Sequence, residues 1–296
     1  IGAYDYLGKG DKNAADQAAV DPMRAELNKI EMNGQIVIGE GEMDEAPMLF
    51  IGEKVGTKTG PFLDIAVDPL EGTNFVAKNL PGAFSMIAIS EKSKLFSAPD
   101  TYMEKIAIGP GFTKNLLDLD NSIEQNIEIL ANEKKVKYDQ LTACVLKRPR
   151  HDNIVESLKR MGVNINFITD GDVAGAILTA NENSPVDIYI GIGGGPEGVL
   201  AAAALSCYGG QIQTRLVLDK NEKIKAKNMG IFDYSKKYNI DDIVKDDVIF
   251  CATAITDSDI LEGVKKKDNY YLTHSIALHK SEKISKKIIN KYKNEF

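Results

Sequence analysis

The sequence predicts a protein whose α+β first half is followed by an α/β second half. After residue 140, apolar strand-like segments alternate with helical segments of about ten residues, a pattern typical of parallel sheets covered by helices. Before residue 140, strand-like segments follow one another with few helices between them, which indicates an α+β arrangement. We therefore predict an N-terminal domain over residues 1–140 and a C-terminal domain over residues 141–296, without a flexible linker.

The first half begins with a predicted helix over residues 11–32, because apolar residues recur there on one face. Pro22 either kinks this helix or opens its second part. Glycine and proline separate the segments that follow. Strands are predicted at 35–39, 63–68, 84–90 and around 97–108, and a short amphipathic helix at 123–135.

The second half contains the alternating pattern. Its predicted strands are 141–146, 165–168, 186–192 and 212–218, and its predicted helices are 152–161, 172–180 and 197–207. Residues 221–246 are polar and predicted to be irregular surface structure, and 248–252 is predicted to be a core strand. At the C-terminus, Ile284, Ile288, Ile289 and Tyr292 have roughly helical spacing, and the lysines around them are the solvated face of that last element.

Charge and length limit the possible partners. The 296 residues contain 43 acidic and 36 basic side chains, a net charge of −7 that argues against nucleic acid as the main partner. No apolar run reaches the roughly 18 residues that cross a bilayer, so we expect no membrane partner. The first residues lack the pattern of a signal peptide, and we expect a cytoplasmic location and further residues before Ile1.

Cysteine and histidine offer little chemistry. Cys144, Cys207 and Cys251 lie in apolar patterns and are predicted to be buried small side chains, not ligands or disulfide partners. His274 and His279 lie in an alternating segment and are predicted to be structural. His151 follows Arg150 at a loop or helix start, where it could contact a ligand.

Carboxylates gather where two predicted strands end, and open sheets bind ligands at strand ends. One strand leads into Asp68 and Glu71, and the other leads into Glu40, Glu42 and Asp44. Carboxylates at one site repel each other unless a cation stands between them, and Mg²⁺ or Mn²⁺ prefers such oxygen ligands. These residues therefore predict a metal-dependent phosphatase.

Each of these carboxylates also has a structural explanation. Glu42 and Asp44 could be solvated loop charges, Asp68 could cap a turn, and Glu71 could lie in solvent. Their occurrence together with the following Gly72-Thr73 favours the functional interpretation, in which the Thr73 hydroxyl orients a metal-bound water.

The second half supplies candidate phosphate and sugar contacts. Arg148-Pro149-Arg150 follows a strand and could form a bidentate clamp for phosphate, or be a solvated turn. Asp170-Gly171-Asp172 could accept hydrogen bonds from sugar hydroxyls, or be a plain turn and helix cap.

The glycine-rich segment Gly193–Gly198 joins a strand to an alanine-rich helix and allows a ligand to approach the backbone. It lacks the Walker and dinucleotide-binding patterns, which argues against an NTPase or a dehydrogenase. Glu197 within it either complements the helix dipole or reaches toward a metal.

Taken together, these motifs resemble those of the class II fructose-1,6-bisphosphatases, within the lithium-sensitive sugar phosphatase superfamily that includes inositol monophosphatase. The resemblance covers most of the chain. Its most specific stretches are Gly8–Asp16, Ile38–Met48, Asp64–Thr73, Arg148–Asp152 and Gly193–Gly198.

The resemblance implies a layered α-β-α-β-α sugar phosphatase fold with the active site between the two halves. It implies metal ligands at Asp16, Glu40, Asp68, Glu71 and Glu197, and catalytic roles for Thr73, Asp44 and Glu40. Substrate contacts are implied at Glu71, Gly72, Thr73, Tyr102, Arg148, Pro149, Arg150, Asp170, Gly171, Asp172 and Gly194. Two departures stand out: a helix that the family carries before Gly2 is absent, and Arg148 stands where the family often has lysine.

The resemblance further implies hydrolysis of the 1-phosphate of fructose 1,6-bisphosphate in gluconeogenesis, with two or three Mn²⁺ or Mg²⁺ ions. A homodimer or homotetramer is expected. Two alternatives stay open: a dual enzyme that also cleaves sedoheptulose 1,7-bisphosphate, and a catalytically silent sugar-phosphate sensor. The choice between Mn²⁺ and Mg²⁺ and any allosteric ligand are left open as well.

Overall fold

A computed structural model describes residues 1–39 and 49–293 of the chain. The helices are α1 Lys12–Leu27, α2 Thr73–Ala77, α3 Ile123–Lys134, α4 Asp152–Met161, α5 Asp172–Ile177, α6 Gly195–Tyr208, α7 Lys220–Asn228 and α8 Ile240–Ile243. The strands are β1 Asn33–Ile38, β2 Lys54–Val55, β3 Phe62–Glu71, β4 Phe84–Glu91, β5 Tyr102–Ile108, β6 Thr142–Leu146, β7 Asn164–Ile168, β8 Ile188–Gly194, β9 Gln211–Val217, β10 Lys237–Asn239, β11 Val248–Ala254, β12 Lys265–Lys267, β13 Tyr270–His279 and β14 Ile284–Lys293. Short 3₁₀ helices occupy Gly2–Tyr6, Tyr138–Gln140, Pro149–His151 and Leu178–Ala180.

The chain forms two compact units, and one of them is discontinuous. Unit 1 combines Ile1–Leu95 with Asp246–Phe296, and unit 2 is Phe96–Lys245. The predicted domain boundary near residue 140 falls inside unit 2. The reason is a long-range pairing, because β5 lies before that boundary and pairs with β8 and β9, which lie after it.

Unit 1 is built on an eight-stranded mixed sheet with the order β12-β13-β11-β4-β3-β1-β2, and β14 pairs with β13. β1 runs parallel to β3, and the other neighbours are antiparallel. α1 packs against β3 and α2. Val20 and Leu27 of α1 belong to one buried cluster with Ile36 of β1 and Ile65 of β3. This packing places the first turns of α1 on the same unit as the carboxylates of β3.

Unit 2 is built on a six-stranded mixed sheet with the order β10-β9-β5-β8-β6-β7. β7, β6 and β8 are parallel, whereas β5 is antiparallel to both β8 and β9. Its core includes Ile106, Val145, Ile188 and, from α3, Leu130. The carboxyl ends of the parallel strands lead directly into the arginine, aspartate and glycine segments singled out in the sequence.

The mixed α/β and α+β fold class is confirmed, with four local differences. The helix predicted over 11–32 ends at Leu27 and continues through Pro22. The second-half sheet is mixed, not wholly parallel, because β5 separates β8 from β9. Residues 221–246 are not irregular, since they hold most of α7 together with β10 and α8. The C-terminal element is the strand β14, not a helix.

The cysteines are free and at least partly buried, and two of the histidines lie on a strand. Cys144 is buried, Cys207 and Cys251 are partly buried, and all three are free thiols. His274 and His279 lie on β13, as predicted for an alternating segment. None of the helices in the described ranges combines the length and apolar character that crossing a bilayer requires.

Candidate active site

Two predicted metal ligands of unit 1, Asp68 and Glu71, lie on either side of an irregularity in β3. Asp68 pairs with Met86 and Glu71 with Phe84, so β3 has one residue more than β4 between these pairs. Such a bulge re-aims side chains, and proline is tolerated there because it has no N–H to donate. Pro69 occupies this bulge, and the Asp68 Oδ1 accepts a hydrogen bond from the Leu70 N–H at 3.1 Å. Glu71 is buried at 5% exposure, which excludes the prediction's alternative of a solvated side chain.

Gly72 turns the chain sharply from β3 into α2. Its φ of +81° lies in the left-handed region, which favours glycine. A Cβ at this position would lie 2.6 Å from Cδ2 of Phe75, so the turn also needs the space that glycine leaves. Thr73 is therefore held two residues from Glu71 as the first residue of α2, half-buried.

Asp16 lies on α1 and is half-buried. Asp16, Asp68 and Glu71 are three predicted metal ligands in unit 1. Their carboxylates are the hard oxygen donors that Mg²⁺ and Mn²⁺ prefer. Across residues 1–39 and 49–293, however, no three His, Cys, Asp or Glu side chains are grouped closely enough to hold one metal ion. Glu40, Glu42 and Asp44 lie outside the described residues. The donor chemistry of unit 1 thus fits a divalent ion, while the complete ligand set remains a prediction.

In unit 2, Arg150 is held by two independent contacts. Its Nε and Nη2 donate to the carbonyl oxygen of Ile192 at 3.0 and 2.8 Å. Its guanidinium carbon lies 4.7 Å from the ring centroid of Tyr102, a cation–π arrangement. The Arg148-Pro149-Arg150 motif pairs Arg150 only with Arg148, whereas the stacking on Tyr102 joins two of the predicted substrate contacts.

Arg148 is anchored to the neighbouring strand end. Its Nη1 donates to the carbonyl oxygens of Lys147 and Thr169, at 3.1 and 2.7 Å. Its Nη2 lies 3.9 Å from Oδ1 of Asp170, at the limit of an ion pair. Both arginines are therefore tied to main-chain oxygens, with Pro149 between them beginning a 3₁₀ turn. These contacts hold the turn in place, and its role as a phosphate clamp stays a prediction.

Asp172 differs in environment from Asp170. Gly171, with φ of +78°, turns the chain so that Asp172 begins α5. Asp172 is only 6% exposed, and its Oδ2 accepts a hydrogen bond from the buried Lys105 Nζ. The Tyr189 hydroxyl donates to the same oxygen at 3.4 Å. The sequence motif identified Asp172 but not Lys105, whose only signal was a lysine inside the apolar strand β5.

Glu197 lies in the first turn of α6, next to the glycines that end β8. A Cβ on Gly194 would lie 1.9 Å from Oε2 of Glu197, so the carboxylate occupies the space above this glycine. Burial, with a smaller contribution from the neighbouring Asp172, raises the pKa of the Glu197 carboxyl to about 7, against an opposing effect of Lys105. A carboxyl in such a place gains from a nearby cation, which would favour its ionised form.

His151 is structural. It is fully buried, its Nδ1 donates to the Leu146 carbonyl oxygen at 2.7 Å, and its Nε2 accepts from the Ile192 N–H at 2.8 Å. Burial lowers the pKa of this imidazole, in agreement with the neutral tautomer that both hydrogen bonds require. The alternative of a ligand contact, left open above, is not supported by these contacts.

The sequence matches a known protein family over almost its whole length. A family model described as "Bacterial fructose-1,6-bisphosphatase, glpX-encoded" matches residues 1–292. The chain belongs to this family. The class 2 fructose-1,6-bisphosphatase of Haemophilus influenzae is 41% identical over 303 residues, which cover 97% of this chain and 90% of that protein. Fructose-1,6-bisphosphatase 1 class 2 of Escherichia coli K12 has the same identity and coverage. The class II fructose-1,6-bisphosphatase match spans both units and every motif described above.

Proposed function

We propose that this protein hydrolyses the 1-phosphate of fructose 1,6-bisphosphate, giving fructose 6-phosphate and inorganic phosphate. The observation that carries this proposal is the family match across residues 1–292, which includes the carboxylates of unit 1 and the arginines of unit 2. Relatives that share 41% of its residues over almost the whole chain are named fructose-1,6-bisphosphatases. A silent sugar-phosphate sensor would not need Thr73 as a group that orients an attacking water.

We infer that two or three divalent ions are held by Asp16, Glu40, Asp68, Glu71 and Glu197. When bound, such ions polarise the phosphate and lower the pKa of a coordinated water. Two or three Mn²⁺ or Mg²⁺ ions agree with an all-carboxylate donor set. The protein's own contribution is clearest at Glu71, whose 5% exposure keeps its carboxylate away from bulk water.

Thr73 is proposed to orient the attacking water, in company with Glu40 and Asp44. A hydroxyl can accept a hydrogen bond from water while donating one to a carboxylate, which fixes the direction of attack. The left-handed turn at Gly72 supports this role, because it sets Thr73 at the first position of α2 directly after Glu71. Gly72 and Glu71 would line the same end of the substrate.

The rest of the substrate is proposed to bind unit 2. Arg148, Pro149 and Arg150, with Tyr102 stacked on Arg150, would hold the phosphate that is not cleaved. Asp170, Gly171, Asp172 and Gly194 would surround the sugar. Fixing the uncleaved groups positions the reacting phosphorus and so lowers the entropic part of the barrier. Assembly as a dimer or tetramer and a cytoplasmic location remain predictions.

The test is a product-specific assay on the purified protein. Fructose 6-phosphate is measured by coupling to its isomerase and a glucose 6-phosphate dehydrogenase, while phosphate is measured separately. The proposal expects the two products in equal amounts. Release of phosphate without fructose 6-phosphate would show cleavage at the other position and refute it. Sedoheptulose 1,7-bisphosphate in the same panel decides whether the enzyme is dual.

A further inference from the structure

Lys105 is a charged side chain in the interior of unit 2. It is 1% exposed and lies on the central strand β5, paired with Gly191 of β8 and Thr214 of β9. Lysine is almost never fully buried unless it has a charged partner. Its position therefore calls for an explanation beyond packing.

The partner of Lys105 is Asp172. The Nζ of Lys105 donates to Oδ2 of Asp172, and the side chains of both residues are almost inaccessible to solvent. Burying two charges carries a large desolvation penalty, and replacing a buried pair by apolar side chains is often neutral or stabilising. Stability is thus a weak reason for this pair, and a role in the neighbouring site is the better one.

Two glycines beside the ion pair leave room for its side chains. A Cβ on Gly193 would lie 1.8 Å from Oδ2 of Asp172 and 3.1 Å from Nζ of Lys105. A Cβ on Gly198 would lie 3.2 Å from Cε of Lys105. Two glycines of the Gly193–Gly198 segment therefore leave the space through which Lys105 reaches Asp172. The segment and the ion pair form one arrangement.

We propose that Lys105 is a positioning residue for the sugar of fructose 1,6-bisphosphate. Its ammonium group fixes the Asp172 carboxylate through Oδ2, so that Asp172 accepts a sugar hydroxyl in one orientation. Tyr189 supports the same oxygen from β8. This inference rests on the proposed function, in which Asp172 contacts the sugar, and it assigns Lys105 a role in sugar binding that acts through Asp172.

The test is a specificity ratio, kcat/KM for fructose 1,6-bisphosphate divided by kcat/KM for p-nitrophenyl phosphate. The second substrate has a phosphate ester but no sugar hydroxyls. Lys105→Met should lower this ratio about ten-fold or more, the scale of a hydrogen bond to a charged group, chiefly through KM for the bisphosphate. A ratio within about two-fold of the wild-type ratio would overturn the inference. Such a result would mean that the substitution lowers both activities equally, as general damage to the fold does.

Thr214→Val is the matched control. Thr214 is the cross-strand neighbour of Lys105, and its fully buried hydroxyl has no hydrogen-bond partner among the described residues. Removing that hydroxyl should leave the ratio unchanged. A fall equal to that of Lys105→Met would mean that the ratio responds to any change in this part of the core, and it would count against the role of Lys105.

Two further variants keep the inference open to refutation if Lys105→Met does not fold. In the Asp172→Asn background, where no buried carboxylate is left unpaired, Lys105→Met should change the ratio by less than about two-fold. A fall of about ten-fold or more in that background would show that Lys105 does not act through Asp172. Gly193→Ala keeps both charges but displaces Oδ2, and it should lower the ratio; an unchanged ratio would contradict the inference.

The wild-type protein separates this inference from the proposed function. Cleavage of p-nitrophenyl phosphate but not of fructose 1,6-bisphosphate by wild type would refute the proposed function, and the inference with it. Wild-type activity on both, with an unchanged ratio in Lys105→Met, would overturn the role of Lys105 alone.

Discussion

Arg150 and Tyr102 allow a graded test of the proposed phosphate clamp. Arg150→Ala removes a guanidinium that is held by the Ile192 carbonyl oxygen and stacked on Tyr102. Tyr102→Leu removes only the aromatic platform and leaves the two hydrogen bonds of Arg150 in place. The two variants should therefore raise KM for fructose 1,6-bisphosphate by different amounts, with little change in kcat.

The magnitudes follow from exposure. A hydrogen bond to a charged group contributes about 1.5–3 kcal/mol, or roughly 10- to 150-fold in affinity. Arg150 is exposed, so water competes with the substrate and we expect the lower end, about ten-fold, for Arg150→Ala. Tyr102 is 51% exposed. A cation–π contact at an exposed site contributes about 0.5–1 kcal/mol, so Tyr102→Leu should raise KM about two- to five-fold.

The assay is the initial rate of phosphate release as a function of fructose 1,6-bisphosphate concentration, at saturating metal. Arg160→Ala is the control. Arg160 is an exposed arginine of α4 that forms an ion pair with Glu124 of α3 and is not among the predicted substrate contacts. Its KM should equal that of wild type. If Arg150→Ala keeps the wild-type KM, or if Arg160→Ala raises KM as much, the clamp is only a solvated turn.

The other predictions concern Thr73, Glu197 and Gly72. Thr73→Ser should keep appreciable kcat, whereas Thr73→Ala and Thr73→Val should lose about 10²-fold; a Val variant as active as Ser would make Thr73 scaffolding. Glu197→Gln should lower kcat and raise the Mn²⁺ concentration for half-maximal activity by roughly ten-fold or more. As a control, the same substitution at the exposed Glu182 should change neither quantity. Unchanged metal dependence in Glu197→Gln would leave Glu197 with a helix-dipole role only. Gly72→Ala should lose about 1–3 kcal/mol of unfolding free energy, and more than Gly162→Ala, where φ is also positive but a Cβ meets nothing within 4 Å; equal urea midpoints would show that the contact with Phe75 is unimportant.

Local patterns predicted most elements because burial and sequence period agree there. In α4, the buried Leu158 and the partly buried Ile154, Val155 and Met161 pack against the core of unit 2, and in β4 buried and half-buried positions alternate. The roughly helical spacing near the C-terminus does not predict the strand β14, because nine of its ten residues are exposed and the spacing of its apolar residues therefore reflects no packing. The α7 helix had a readable signal in Asp219 and Glu222, which form a capping box, but its polar composition concealed it.

Long-range pairing is the part that no local pattern contains. The insertion of β5 between β8 and β9 depends on strands far apart in sequence, and it both shifts the unit boundary and brings Lys105 to Asp172. The candidate site residues were found through chemistry-bearing motifs at strand ends. Lys105 lies in the middle of a strand, outside every such motif, and only the fold reveals its partner.

Metal dependence tests the central claim most directly. The measurement is phosphate release from fructose 1,6-bisphosphate by protein that has been stripped with a chelator, followed by titration with Mn²⁺ and with Mg²⁺. A site made of Asp16, Glu40, Asp68, Glu71 and Glu197 predicts that turnover disappears on stripping and returns with either or both ions. Full activity in protein whose metal content is verified as nil would contradict the account.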